Sequence, residues 1–173
     1  YLKYTSAWLP YPMPGKASSP KDAARLELDA GLAYYGFDTP VILREEDLGE
    51  GYRIEVSEEA ISIFAKGAGL LYGAFALLRD IALGKKPESC VQQPVYALRM
   101  LNHWDNMDGT VERGYAGRSL FFEGSRFDYD PERLRMYARI LSSAGINTVA
   151  LNNVNVHAPA QHLIDDLLPE VVE

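Results

Sequence analysis

The sequence predicts an α/β protein in two parts: a small α/β domain with an antiparallel hairpin, then the opening units of a parallel α/β sheet or barrel. Three features of the chain carry this. Residues 52–56 alternate in polarity, break at Ser57-Glu58-Glu59, and give way to a second strand-like run at 60–65, the pattern of two paired strands. Residues 85–94, KKPESCVQQP, are polar and contain two prolines, which is linker composition. Beyond them, apolar runs that read as buried strands alternate with amphipathic helical stretches, as in parallel α/β folds. The expected division is residues 1–84, a linker at 85–94, and residues 95–173.

Taken in order, residues 4–9 read as a short strand stopped by Pro10. A helix opens at Pro20 and runs to Leu32, with Ser19 placed to cap it and proline at the first helical position. Residues 36–50 are turn-rich, with a short strand at 40–43. After the hairpin, residues 69–83 form a helix whose broad apolar face holds Leu70, Leu71, Phe75, Leu77 and Leu78. Gly84 ends it. Past the linker, residues 95–101 read as a buried strand and 102–128 as a long polar segment. Asp130 and Pro131 then start a helix that Gly145 stops. Residues 146–151 are a second buried strand, 152–155 a polar loop, and a further helix begins at 163. Two parallel strands cannot close a barrel, and left open they expose both edges. The expectation is that the second domain continues past Glu173.

Composition bounds the function. The formal charge of −7 argues against nucleic acid, because phosphate binding needs a basic face. It leaves room for a small anion held by local arginines. With one cysteine, Cys90, no intrachain disulfide forms, and the thiol reads as a small packing residue. No apolar run approaches the roughly 20 residues of a membrane span. The chain opens at Tyr1 without methionine, as expected of a sequence trimmed at the front; from the lack of a signal-like segment, a cytoplasmic location is the expectation.

Several motifs dissolve on inspection. Gly67-Ala68-Gly69 lies between a strand and a helix, but Tyr72 occupies the third glycine position of a dinucleotide fingerprint; a helix-start turn is the better reading. Residues 105–109, DNMDG, begin like a calcium loop, yet the twelfth position is Ala116 rather than glutamate. His157 and His162 are five apart, whereas helical metal pairs sit four apart. No metal and no cofactor is expected.

The run Asn102-His103-Trp104-Asp105-Asn106 is different. It follows a strand, at the end where α/β barrels place their sites. An indole against a sugar ring, with Asp105, Asn106 and His103 bonding hydroxyls, is a natural carbohydrate site. Asn152, Asn153, Val154 and Asn155 follow the second strand, and parallel strands would bring both loops to one face. Glu112, Arg113, Arg118, Glu123 and Arg126 lie in the long segment between. Arg113 or Arg118 could grip a sugar carboxylate, although ion pairing with the nearby acids is the expected fate of each.

Residues 98–117, LRMLNHWDNMDGTVERGYAG, resemble the hallmark run of the family 67 glycoside hydrolases, the α-glucuronidases. Residues 146–155, INTVALNNVN, are similar to that family's second barrel strand and loop, and residues 51–83 to the end of its N-terminal domain. Residues 1–50 match less well, and the chain looks shorter there than the family pattern. The resemblance implies an N-terminal α/β domain followed by a (β/α)8 TIM barrel, here truncated. It implies hydrolysis, with inversion and without metal, of the α-1,2 link between (4-O-methyl)glucuronic acid and xylo-oligosaccharides. The family's acid and base lie on later barrel strands, so no catalytic residue is expected in this chain. Trp104 and Val154 match positions that contact the glucuronic acid. His103, Asp105, Asn106, Asn153 and Asn155 are added from position and chemistry. The expected partners are glucuronic-acid-substituted xylo-oligosaccharides, with a homo-oligomer or the remainder of the enzyme left open. The alternative is a non-catalytic carbohydrate-binding or assembly module.

Overall fold

The computed structural model describes residues 9–124, 126–152 and 169. The short strand expected at 4–9 (Leu9 apart), the loop residues Asn153, Val154 and Asn155, and the helix expected from 163 lie outside them, apart from Pro169. Two compact units are present. The first takes residues 1–97 and 140–145, the second residues 98–139 and 146–173.

In the first unit, helix α1 (Pro20–Tyr35) is started by Ser19, whose side chain accepts a hydrogen bond from the Asp22 amide, with Pro20 at the first turn. The cap and the proline are the local signals that the sequence carried. Strands β1 (Val41–Glu45), β2 (Tyr52–Val56) and β3 (Ile61–Ala65) follow, then helix α2 (Ala68–Ala82). β2 and β3 pair antiparallel, with Ile54 opposite Ile63, as the alternating pattern requires. β1 joins the other side of β3 in parallel. A short strand β4 (Cys90–Gln92) pairs antiparallel with β2, so the sheet order is β1-β3-β2-β4. That strand falls inside the stretch read from composition as linker. Three residues are too few to show a period, and β4 exists because β2 offers it an unpaired edge.

The core of this unit is apolar and continuous. Ile61, Ile63 and Ala65 alternate inward from β3, and Leu70, Ala74, Phe75, Leu77 and Leu78 of α2 pack with them and with Leu28 of α1. Burial on this scale is worth about 1.5–3 kcal/mol for each large side chain. Gly69 explains the glycine pair at the start of α2. A Cβ there would stand 2.4 Å from the Gly51 carbonyl oxygen, so the helix lies against backbone that no side chain could share.

In the second unit, β5 (Met100–Trp104) and β8 (Thr148–Asn152) pair in parallel, with Trp104 opposite Asn152. Between them in the chain lie a small hairpin, β6 (Phe122–Glu123) with β7 (Arg126–Phe127), and helix α3 (Pro131–Ser143), of which residues 131–139 belong to this unit. Asp130 Oδ1 accepts from the amides of Glu132 and Arg133 at 2.9 and 3.3 Å, which makes it the expected cap. β5 begins five residues later than the apolar run suggested. Val95, Tyr96 and Leu98 precede it and are exposed. Ladder pairing with β8, rather than hydrophobicity, sets its bounds. Together the units form a mixed α/β protein of small sheets and helices, and no closed barrel occurs among the described residues. No helix among them is long and apolar enough to cross a membrane.

Candidate functional site

The segment after β5 is built from short polar side chains that bond to nearby backbone. Asp105 faces Val111 across a bridge, and Thr110 faces Arg118. The Asn106 amide donates to the Thr110 carbonyl at 2.9 Å. The Asn106 side-chain amide donates to Thr110 Oγ1 at 2.9 Å and to the Glu112 carbonyl at 2.5 Å. Asp108 Oδ1 accepts from the Thr110 amide and hydroxyl at 2.9 and 2.6 Å. Gly109, at φ +91°, makes the turn that these bonds close.

Asp105 ties the far end of the segment back to the strand. Its Oδ2 accepts from Ser119 Oγ at 2.6 Å and from the Leu120 amide at 2.8 Å. Ser119 Oγ in turn accepts from the amides of Phe121 and Phe122. Asp105 and Asn106 are 1% and 2% exposed, so both are enclosed by the structure that they hold. Beneath them lies a small apolar core of Met107, Phe121 and Phe122, packed with Leu134 and Tyr137 of α3 and Leu151 of β8.

His103 is turned towards α3. Its Nδ1 lies 2.9 Å from the Tyr137 hydroxyl, and its ring meets Phe121 and Tyr137 edge-on at 5.2 and 5.4 Å. Its Nε2 stands 3.2 Å from Asp105 Oδ1. That oxygen is buried and takes part in no well-formed hydrogen bond. Burial, and then the negative charge of Asp105, push the Tyr137 phenol above its ordinary value. Successive strand residues face opposite sides. Trp104, the last residue of β5, therefore faces away from α3, and it is 44% exposed.

Four of the five consecutive residues read as one polar site thus divide. Trp104 presents an open indole on one side of the strand. His103, Asp105 and Asn106 sit within the packing and hydrogen bonds of the other side and of the loop. Val154, Asn153 and Asn155 lie outside the described residues, as do His157 and His162.

The arginines depart from expectation. No ion pair links Arg113, Arg118 or Arg126 to an acid among the described residues. The nearby acids are engaged otherwise: Asp105 with Ser119 and Leu120, Asp108 with Thr110, and Glu112 with the Tyr115 phenol. Hydrogen bonding to Glu112 raises the Tyr115 phenol above its ordinary range. Glu112 also holds a left-handed backbone at φ +53°, a conformation that non-glycine residues seldom adopt. Engagement of acids by hydroxyls and amides is not visible in a count of charges. Ser119 and Tyr137, which complete these networks, were not marked as site residues from the sequence. Tyr137 lies 34 positions from His103, and only packing brings them together. Among the described residues no cluster of His, Cys, Asp and Glu forms a metal cage.

Comparison with known proteins bears on this arrangement directly. The model of the glycosyl hydrolase family 67 middle domain matches residues 82–173, which include all of the second unit beyond residue 97. Probable alpha-glucuronidase A of Aspergillus fumigatus is 39% identical over 111 residues, covering 63% of this chain and 13% of that protein. Probable alpha-glucuronidase A of Aspergillus clavatus is 38% identical over 121 residues, 69% of this chain and 14% of that protein. Alpha-glucuronidase A of Emericella nidulans is 39% identical over 119 residues, 65% of this chain and 14% of that protein. The chain spans about one seventh of the length of these relatives. A family match over more than half of the chain, on the segment that carries Trp104 and its supporting loop, has one meaning: the chain belongs to glycosyl hydrolase family 67.

Proposed function

We propose that the chain is the N-terminal part of an α-glucuronidase, in which β5 and β8 open a (β/α)8 barrel and the loops that follow them bind substrate. The relatives are named α-glucuronidases, and the family match falls on this segment. The observation that carries the reading is the exposed indole of Trp104 at the C-terminal end of β5, the end where such barrels bind substrate. The substrate is a xylo-oligosaccharide bearing (4-O-methyl)glucuronic acid, cleaved at its α-1,2 link with inversion. Arg113 and Arg118, without acidic partners among the described residues, suit a ligand that carries a carboxylate. Val154, Asn153 and Asn155 belong to the proposed contact set with Trp104. His103, Asp105 and Asn106 contribute by holding Trp104 and its loop.

Inversion requires two carboxylates about 6.5–9.5 Å apart, one protonated and one activating water. Asp105 fills neither role in this reading, because its Oδ2 is occupied by Ser119 and Leu120. The chain therefore supplies binding and orientation, with the acid and base elsewhere in the enzyme.

Two assays test this. The purified 173-residue chain should release no glucuronic acid from aldobiouronic-type substrates. A chimera of the Emericella nidulans enzyme, its matching segment replaced by this one, should hydrolyse them. A folded but inactive chimera, beside an active parent, would overturn the proposal and favour a binding or assembly module. Turnover by the chain alone would overturn the assignment of catalysis to other parts of the enzyme.

A further inference from the structure

Asp105 Oδ1 is the one buried side-chain oxygen or nitrogen among the described residues without a hydrogen-bond partner. Such atoms call for an explanation, since leaving a buried acceptor unmet is costly. His103 Nε2 stands 3.2 Å from this oxygen. An ionised carboxylate only accepts. If Nε2 presented its lone pair, two acceptors would face each other in a buried site. A proton on Nε2 removes that conflict and leaves Nδ1 as an acceptor for the Tyr137 hydroxyl, 2.9 Å away. Tyr137 can donate there, because burial and the charge of Asp105 favour its neutral form.

We infer that Asp105, His103 and Tyr137 form one directed chain of hydrogen bonds, with His103 held as its Nε2–H tautomer, and that these three are positioning residues for Trp104. The chain joins three elements: α3 through Tyr137, β5 through His103, and the loop through Asp105. His103 meets the Tyr137 hydroxyl at Nδ1, stands 3.2 Å from Asp105 Oδ1 at Nε2, and is wedged edge-on between Phe121 and Tyr137. Trp104 is the next residue on the same strand and faces the other side. Any rotation of the end of β5 that moved the indole would break the bonds behind it. The inference rests on the proposed function only in taking Trp104 as a sugar contact. The tautomer and the coupling to the indole stand on geometry alone.

The test uses the 173-residue chain labelled with ¹⁵N. Long-range proton–nitrogen spectra at about pH 8.5, above the ordinary imidazole range, report the tautomer. His103→Gln assigns the imidazole and Trp104→Phe the indole. The wild type should show a protonated Nε2. In Asp105→Asn, the amide oxygen remains with Ser119 and Leu120, and the NH2 turns to Nε2. The ring proton should then move to Nδ1, and the Trp104 indole resonance should shift. Tyr137→Phe, which keeps the ring packing, should also move the indole resonance, and it serves if Asp105→Asn does not fold. Each variant is then titrated with xylobiose bearing glucuronic acid. Affinity should fall about threefold to tenfold, the penalty of a misplaced contact. A wild-type Nδ1–H tautomer overturns the inference, and so does an unmoved indole in both variants. Equal affinity in wild type and folded variants overturns the positioning role. If the wild type ignores the sugar, the proposed function fails, and the tautomer and indole shifts still decide the inference.

Discussion

Ser119 donates its hydroxyl to Asp105 Oδ2 at 2.6 Å across 14 positions of sequence. The bond closes a segment that contains Arg113, Tyr115 and Arg118, and it anchors that segment next to Trp104. The pair therefore links local chain geometry to the face on which a ligand would sit. Removing either partner exposes how the loop is held.

Asp105→Ala should destabilise the second unit. It strips a charged acceptor from the Ser119 hydroxyl and the Leu120 amide, and hydrogen bonds to charged groups contribute about 1.5–3 kcal/mol each. A loss of about 3 kcal/mol is expected, seen as faster hydrogen exchange at the Leu120 amide. A double-mutant cycle with Ser119→Ala should give coupling of about 1–2 kcal/mol. Additive losses would show that the two residues act independently.

Trp104→Ala, placed in the active chimera, should lower kcat/KM. Stacking of an aromatic ring is worth about 0.5–1.5 kcal/mol beyond area burial, by analogy with aromatic pairs. That corresponds to a drop of about twofold to tenfold, with larger losses if orientation also slackens. Trp104→Phe should recover part of it. Steady-state kinetics on folded variants decide, and unchanged values for Trp104→Ala would remove the indole from the site.

Gly69→Ala should weaken the first unit. The new Cβ would stand 2.4 Å from the Gly51 carbonyl oxygen and 3.0 Å from Ala65 Cβ. Backbone cannot swing aside as a long side chain can. Overpacking of this kind costs about 1–3 kcal/mol, set against a small helix-propensity gain from alanine. Urea denaturation should show a lower midpoint with little change in slope.

Tyr137 makes stability depend on alkaline pH. Its folded-state pKa is raised above the ordinary value of 10.0, so above that pH the unfolded chain gives up this proton first. Its contribution is fully present below pH 10 and is lost as pH rises through the folded pKa. Tyr52 is raised by burial as well, so the wild type should lose stability there. Tyr137→Phe should fall less steeply than wild type as pH rises above 10. Parallel curves would exclude Tyr137 as a contributor.

Much of the fold was legible because its signals are local. Ser19-Pro20 and Asp130-Pro131 cap the helices that follow them, and the alternation at 52–56 declares a strand whatever surrounds it. The run around Trp104 likewise carries the resemblance to family 67 in its sequence alone. What the sequence could not determine depended on partners distant along the chain. β4 is a strand because β2 offers it an edge, and β5 starts at Met100 because Thr148 stands opposite. The division of the polar run followed from that register. A shift of pairing register by one residue exchanges a strand's two faces, so no reading of Asn102 to Asn106 by composition could say which face carries Trp104 and which His103. The tertiary structure decided it by bringing Tyr137, 34 positions away, against His103. The Tyr137 hydroxyl reaches the half-buried imidazole only through packing, which no local pattern encodes.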